Sequence, residues 1–129
     1  MDCLFCKIIE GNIPSKTIYE DDLVKEFLDI NPNTNGHCLI IPKKHIVTIE
    51  EMDIELVTHI LEVEKKIYRI LKEKLNIEGL TIVQNNDLGQ EVKHYHVHLI
   101  PRYQNDNWEI HFNQKNLVEL DEVYHKIIN

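Results

Sequence analysis

Apolar and polar residues alternate with helical spacing most clearly between Asp53 and Asn76. Apolar side chains stand at positions 54, 57, 60, 61, 67, 70, 71 and 75, and charged residues occupy most positions between them. This spacing places the apolar residues on one face of a helix of about six turns. Asp53 suits the N-cap of that helix, and Gly79 lies shortly beyond its end. The pattern predicts one long amphipathic helix over Asp53–Asn76.

Shorter apolar runs on either side of this helix predict strands. The runs are Lys16–Glu20, Leu23–Ile30 and His37–Pro42 before the helix, and Leu80–Asn85 and Val92–Ile100 after it. A short helix over Cys3–Glu10, ended by Gly11, precedes the strands, and Leu117–Ile128 has the spacing of another short helix. Consecutive strands with short links favour an antiparallel sheet of about five strands, so the expected fold class is α+β.

Composition limits the classes of protein that the chain can belong to. Its 129 residues, of which 43% are hydrophobic, predict a single domain over residues 1–129. The net charge is −8, so its average field repels the phosphate backbone and we expect no nucleic-acid partner. No apolar run approaches the roughly 18 residues of a membrane span, and we expect no membrane association.

The chain has an odd number of cysteines, Cys3, Cys6 and Cys38, and its first residues do not resemble a signal peptide. This argues against a disulfide framework and predicts a reducing compartment, the cytoplasm. Cys3 and Cys6 form a C-x-x-C pair, a motif typical of half of a metal site or of a redox pair. Almost no chain precedes Cys3 to form the strand that a redox pair follows, so the metal interpretation is favoured.

Three of the eight histidines, His94, His96 and His98, alternate with bulky apolar residues. On a strand, alternate side chains share a face and lie about 6.6–7 Å apart. Three interpretations are open for this row of imidazoles. It can be the solvent-exposed face of a strand, it can chelate a metal, or it can be a catalytic group in which one imidazole acts on a substrate and its neighbours orient it. Upstream, Gly89-Gln90-Glu91-Val92 forms a turn whose backbone N–H groups can face an anion.

Three segments together resemble the histidine-triad (HIT) superfamily, and specifically its small nucleotide-binding branch, the Hint type. They read LFCKIIEGNIPSKTIYEDD, FLDINPNTNGHCLIIPKKHI and GQEVKHYHVHLIPR, and the resemblance covers roughly residues 3–103, leaving 104–129 as a less regular tail. The resemblance implies attack on the α-phosphorus of a nucleotide. His96 would be the nucleophile and form a nucleotidyl-histidine, His98 would contact the phosphate, His37 would orient the nucleophilic ring, and Gln90 would contact phosphoryl oxygens.

The resemblance also implies a purine ribonucleotide site for a ligand such as AMP or GMP. Asp29 would take the ribose hydroxyls, and Asn85 would lie near the sugar and phosphate. Glu91 stands where many relatives have Ser or Thr, and its carboxylate would repel phosphate unless it turns away, whereas its backbone N–H still serves. The expected nucleotide-contacting residues are Leu4, Phe5, Ile8, Phe27, Asp29, Ile30, Asn85, Gln90, Glu91 and Val92. Ile8 and Ile30 can equally be ordinary core residues.

Some relatives bind zinc, and the resemblance implies the ligands Cys3, Cys6, His45 and His94. Two thiolates and two imidazoles suit tetrahedral, structural Zn²⁺. The resemblance further implies a homodimer formed through the long helix and the strand Leu80–Asn85. Its activity would be that of a nucleotide phosphoramidase or hydrolase. The alternatives are a diadenosine polyphosphate hydrolase and a zinc-stabilised nucleotide-binding or scaffold module whose activity is incidental.

Overall fold

The computed structural model describes residues 2–129, so Met1, the first residue of the predicted domain, lies outside it. The elements in chain order are α1 (Leu4–Ile9), β1 (Thr17–Glu20), β2 (Val24–Leu28), β3 (Cys38–Pro42), a 3₁₀ turn (Ile49–Glu51), α2 (Ile54–Leu75), β4 (Gly79–Gln84), β5 (Val97–Arg102) and α3 (Leu120–Ile128). The strands form one five-stranded antiparallel sheet in the order β1-β2-β3-β5-β4. The predicted α+β class is confirmed.

The two faces of the sheet have different partners, because neighbouring residues of a strand point to opposite faces. One face packs against α2, where residues such as Ile40 and Leu99 join a core with Ile60 and Ile67. The other face carries Phe27, Leu39 and Ile41, which pack against Phe5 and Ile8 of α1. Together with Cys3, these residues form one buried cluster. His98 alternates with the core residues Val97 and Leu99, so it lies on the α1 face.

The long helix α2 begins and ends at polar caps. The Asp53 carboxylate accepts a hydrogen bond from the backbone N–H of Leu56 at 2.9 Å, which confirms the predicted N-cap. At the other end, Asn76 adopts the left-handed conformation (φ 55°) and closes the helix, whereas Gly79 is already the first residue of β4. Within residues 2–129, no helix is both long and apolar enough to cross a membrane.

The predicted strand Val92–Ile100 is wrong in its first half, since β5 begins only at Val97. The backbone N–H of His94 donates a hydrogen bond to the Val92 carbonyl at 2.9 Å, and that of Tyr95 donates to the Ile46 carbonyl at 2.6 Å. These two hydrogen bonds hold residues 92–96 in a bent segment outside the sheet. The three histidines therefore do not form one row. The other predicted strands shift at their ends by one or two residues.

A carboxyl group is buried on the α2 face of the sheet. Glu26 is 0% exposed; its Oε2 accepts a hydrogen bond from the Cys38 thiol at 3.0 Å, and its Oε1 has no partner among residues 2–129. Burial, reinforced by the Glu64 carboxyl on α2, raises the pKa of Glu26 to about 8. Burial also raises the pKa of Glu64 itself. Glu26 is thus a neutral acid at neutral pH, because an uncompensated charge here is costly.

Replacement of Glu26 by Gln is expected to change how stability depends on pH. The Glu26 carboxyl has a pKa near 8 in the folded chain and an ordinary pKa of about 4.3 in the unfolded chain. Its stabilising contribution is complete below the lower value and is lost as pH rises through the folded value. Glu26 should lower the wild-type free energy of unfolding across this window by up to about 1.4 kcal/mol per pH unit. E26Q should lack this share of the fall and keep the share that comes from Glu64.

Urea unfolding of both proteins between about pH 5 and pH 9 measures this difference. Glu73→Gln is the matched control, since Glu73 is an exposed glutamate on α2, and it should keep the wild-type slope. Parallel pH profiles for wild type and E26Q would mean that Glu26 is ionised in the folded chain.

Candidate functional site

A cleft of about 490 Å³ opens on the α1 face of the sheet. It is lined by most of the residues that the sequence predicted for nucleotide contact and catalysis, namely Leu4, Phe5, Ile8, Phe27, Asp29, Ile30, His37, Asn85, Glu91, Val92, His96 and His98. Sequence reasoning missed Ile13, Pro14, Ser15, Asn31 and Asn33, which also line it. The turn signal at residues 31–36 marked the position of the two asparagines without indicating that they face a cleft.

The structure decides the position of Ile30 and Gln90. Ile30 is 86% exposed at the mouth of the cleft, so its alternative assignment to the core is wrong, whereas Ile8 belongs both to the buried cluster under α1 and to the cleft wall. Gln90 is buried and is absent from the residues that line the cleft. Its Nε2 donates to the Val47 carbonyl at 2.6 Å, and its Oε1 has no partner within residues 2–129. Gln90 therefore anchors the loop before the histidines.

The imidazole of His96 is held by a backbone carbonyl. Its Nδ1 lies 2.7 Å from the carbonyl oxygen of His94, and because a carbonyl only accepts, Nδ1 must carry the proton. In the neutral ring, Nε2 then has a free lone pair. The ring of Phe5 packs edge-on against His96 with its centroid 5.0 Å away. His96 thus lies in the cleft wall with its ring held in one orientation, and a ring in this form can act chemically as a base or a nucleophile.

The neighbouring His98 has the opposite tautomer. The backbone N–H of Asn33 donates to His37 Nδ1 at 3.1 Å, which places the proton of neutral His37 on Nε2. That Nε2 lies 2.9 Å from His98 Nδ1 and donates to it, so neutral His98 carries its proton on Nε2. The expected contact of His37 with the nucleophilic ring is therefore replaced by a contact with His98, and the His94 carbonyl orients His96.

Burial keeps this pair of rings neutral. Burial and the neighbouring His96 and His37 lower the pKa of His98 to about 4. Burial also lowers the pKa of His37, against the opposing effect of the Asp29 carboxylate, whose Oδ2 lies 3.5 Å from His37 Nε2. The ring centroids of His96 and His98 are 5.1 Å apart. The cleft thus presents a lone pair and an N–H donor side by side.

The four predicted metal ligands come together at the end of α1. Cys3, Cys6, His45 and His94 each offer one ligand atom, and these atoms lie within 4.8 Å of one another. His94 Nδ1 is 3.4 Å from Cys3 Sγ, and His45 Nδ1 is 3.3 Å from Cys6 Sγ. Nε2 of His94 donates to the Pro42 carbonyl at 2.8 Å, which leaves its Nδ1 unprotonated. This is the tautomer that a metal ion requires, so the donor set fits Zn²⁺.

The cluster and the cleft share α1. Cys3 and Cys6 flank Leu4 and Phe5, which form part of the cleft wall. The Phe5 ring packs edge-on against both His94 and His96, with centroids 5.9 and 5.0 Å away. The backbone carbonyl of His94 holds His96 while its side chain belongs to the cluster. Any group that fixes the cluster therefore also fixes one wall of the cleft.

The chain is similar to several known proteins. The family model described as HIT domain matches residues 10–105. An uncharacterised HIT-like protein of Methanocaldococcus jannaschii is 46% identical over 127 residues, covering 97% of this chain and 98% of that protein. The adenosine 5′-monophosphoramidase of Schizosaccharomyces pombe is 38% identical over 104 residues, which is 79% of this chain and 75% of the enzyme. The crystal structure of a zinc-bound histidine triad family protein from Mycobacterium smegmatis matches with a TM-score of 0.80 at 36% identity, covering 88% of this chain and 84% of that one.

Proposed function

Because the chain belongs to the histidine-triad (HIT) family, we propose that it hydrolyses purine ribonucleotide derivatives, nucleoside 5′-phosphoramidates above all, at the α-phosphorus. The observation that carries the proposal is the pairing of His96, whose Nε2 has a free lone pair, with His98, whose Nε2 carries a proton. Similarity to an enzyme named as an adenosine 5′-monophosphoramidase supports the choice of leaving group.

The nucleoside would occupy the apolar part of the cleft. Leu4, Phe5, Ile8 and Phe27 line this part and offer flat and aliphatic surfaces for a purine base. The Asp29 carboxylate accepts one hydrogen bond from the backbone N–H of Asn31 at 2.8 Å. A carboxylate has about four acceptor sites, so two ribose hydroxyls can still bind to it. This arrangement favours ribonucleotides such as AMP or GMP.

The first half of the reaction would form a covalent intermediate. The Nε2 lone pair of His96 makes a bond to phosphorus, and the P–N bond of the substrate breaks with its electron pair leaving on the amine. The amine takes up a proton that reaches it from solvent through His98. The neutral His98 N–H also donates to a phosphoryl oxygen, where negative charge is concentrated.

The second half would return the enzyme to its starting state. A water molecule adds its hydroxyl to phosphorus, its proton passes to solvent through His98, and the bond from phosphorus to His96 Nε2 breaks back onto the ring. The net change is the conversion of phosphoramidate and water to a nucleoside monophosphate and an amine. The His94 carbonyl serves both halves, because it stabilises the positive charge that the His96 ring carries while Nε2 is bonded to phosphorus.

Zinc would serve a structural purpose in this enzyme. We propose that Cys3, Cys6, His45 and His94 hold one Zn²⁺, which supplies a cross-link between α1 and the segment before β5 and takes no part in the chemistry. The fit of the His94 tautomer and similarity to a zinc-bound family member support this. Thiolate ligands persist in a reducing compartment, so the site also suits a cytoplasmic protein.

A homodimer is the proposed assembly. β4 is an edge strand of the sheet and exposes the apolar side chain of Ile82, and α2 exposes that of Leu61. Edge pairing of two copies would cover the free hydrogen-bonding groups of β4 and bury these side chains.

Replacement of His96 by Ala is expected to abolish turnover. Release of AMP from adenosine 5′-phosphoramidate should fall by at least about 10³-fold, since the variant lacks the nucleophile. His111→Ala is the matched control, because His111 is an exposed histidine of the tail, and it should keep wild-type activity. Equal release by wild type and H96A would mean that the nucleophile is misassigned.

Loss of the two thiolates is expected to remove the metal. Native mass spectrometry should find one zinc ion per chain in the wild type and none in the Cys3→Ser/Cys6→Ser variant. Chelation should lower the melting temperature of the wild type, on the order of 10 °C, and leave that of the variant unchanged. A wild type purified with zinc in the medium that holds none would contradict the assignment.

Sedimentation equilibrium tests the dimer. The wild type should have about twice the chain mass of 15.3 kDa, and Leu61→Glu combined with Ile82→Glu should shift it toward the single-chain mass by placing like charges in the interface. A wild-type mass near that of one chain at micromolar concentration would refute the assembly.

A further inference from the structure

The cleft has an unusual charge for a phosphate site. Two carboxylates, Asp29 and Glu91, line it, and no lysine or arginine is among its lining residues in the part of the chain that the structure describes. Asp29 is engaged by Asn31 and His37. Glu91 is exposed and forms no ion pair or hydrogen bond within residues 2–129. Its charge is therefore available to a bound ligand.

The sheet order places Glu91 on the side of the histidines that faces away from Asp29. Asp29 directly follows β2, and His98 lies on β5. Asn85, Gly89 and Glu91 belong to the connection between β4 and β5 at the opposite side of the sheet. A nucleotide with its ribose at Asp29 and its phosphorus at His96 therefore extends its leaving group toward Glu91.

The lysine nearest to Glu91 along the chain does not form an ion pair with it. Lys93, two residues along the chain, donates from its Nζ to the Asp87 carbonyl at 3.3 Å. It is not among the residues that line the cleft. The leaving-group end of the cleft consequently carries a negative charge that meets any substituent on the phosphorus.

We propose that Glu91 selects the leaving group by charge, so that the preferred substrates are nucleoside phosphoramidates of amines that carry a second, positive group, such as diamines or basic amino acids. This inference rests on the proposed function. An unpaired carboxylate attracts such a cation and repels a polyphosphate or carboxylate leaving group. At distances of several ångströms the effect on kcat/KM is roughly three- to tenfold per unit of charge, and salt weakens it because Glu91 is exposed to solvent.

A series of substrates of equal length and different charge tests the proposal. The probes are the adenosine 5′-phosphoramidates of 1,3-diaminopropane, propylamine and β-alanine, whose leaving groups carry one positive charge, no charge and one negative charge. Wild type should turn them over in that order of kcat/KM, with a spread of roughly ten- to a hundredfold between the charged pair at low salt. The spread should shrink strongly near 1 M salt, where the Debye length is about 3 Å.

Variants at position 91 assign the preference to its charge. Glu91→Gln should flatten the ratio between the cationic and anionic substrates, and Glu91→Lys should invert it. Glu73→Gln, which removes a charge of the same sign from the exposed side of α2, should keep the wild-type ratio. Because each result is a ratio within one variant, a general loss of activity does not imitate it.

The outcomes separate this inference from the proposed function. His96-dependent turnover with the same charge ratio in wild type and E91Q would overturn the inference and leave the function standing. No turnover of any of the three phosphoramidates by wild type would overturn the proposed function and the inference with it. Faster turnover of diadenosine tetraphosphate than of the diaminopropane substrate would also overturn the charge selection.

Discussion

The hydrogen bond from His96 Nδ1 to the His94 carbonyl is the constraint on which the cleft depends. It fixes the ring orientation and the tautomer of His96, and with them the position of the Nε2 lone pair. The same residue contributes its side chain to the Cys/His cluster, where the Pro42 carbonyl fixes its own tautomer. One bent backbone segment thereby sets the chemistry of two adjacent sites. A straight strand through residues 92–96 would point both rings the same way and bring neither to its partner.

Burial controls protonation on both faces of the sheet. On the α1 face, it lowers the pKa of His37 and His98, so the relay from Asn33 carries neutral rings with defined donors and acceptors. On the α2 face, it raises the pKa of Glu26 and keeps that carboxyl neutral beside the Cys38 thiol. The sheet thus favours the neutral forms of these groups, and a hydrogen bond compensates part of the desolvation of each.

Side-chain periodicity was sufficient to predict the helix over Asp53–Asn76, four of the strands and the second half of the fifth. The grouping of Cys3, Cys6, His45 and His94 came from the family resemblance and not from periodicity. Periodicity failed where backbone atoms act. The bend before Val97, the orientation of His96 by the His94 carbonyl and the capture of Gln90 by the Val47 carbonyl involve acceptors that every residue has. Such contacts leave no mark in the pattern of residue types. For the same reason Asn33 was missed, since its contribution to the relay is a backbone N–H.

A chain with a net charge of −8 can bind a phosphate ligand through neutral N–H donors. Lys25 and Lys43 pair with Glu20, and Arg102 forms a bidentate ion pair with Asp106. None of these cations lines the cleft. Phosphate in the cleft would meet neutral N–H donors in place of fixed positive charges. Such donors stabilise the negative charge that develops on the phosphoryl oxygens during the reaction, yet they bind a product dianion more weakly than lysine or arginine would. A cleft of this kind favours turnover over retention, which is the behaviour of a hydrolase more than of a nucleotide-storing module.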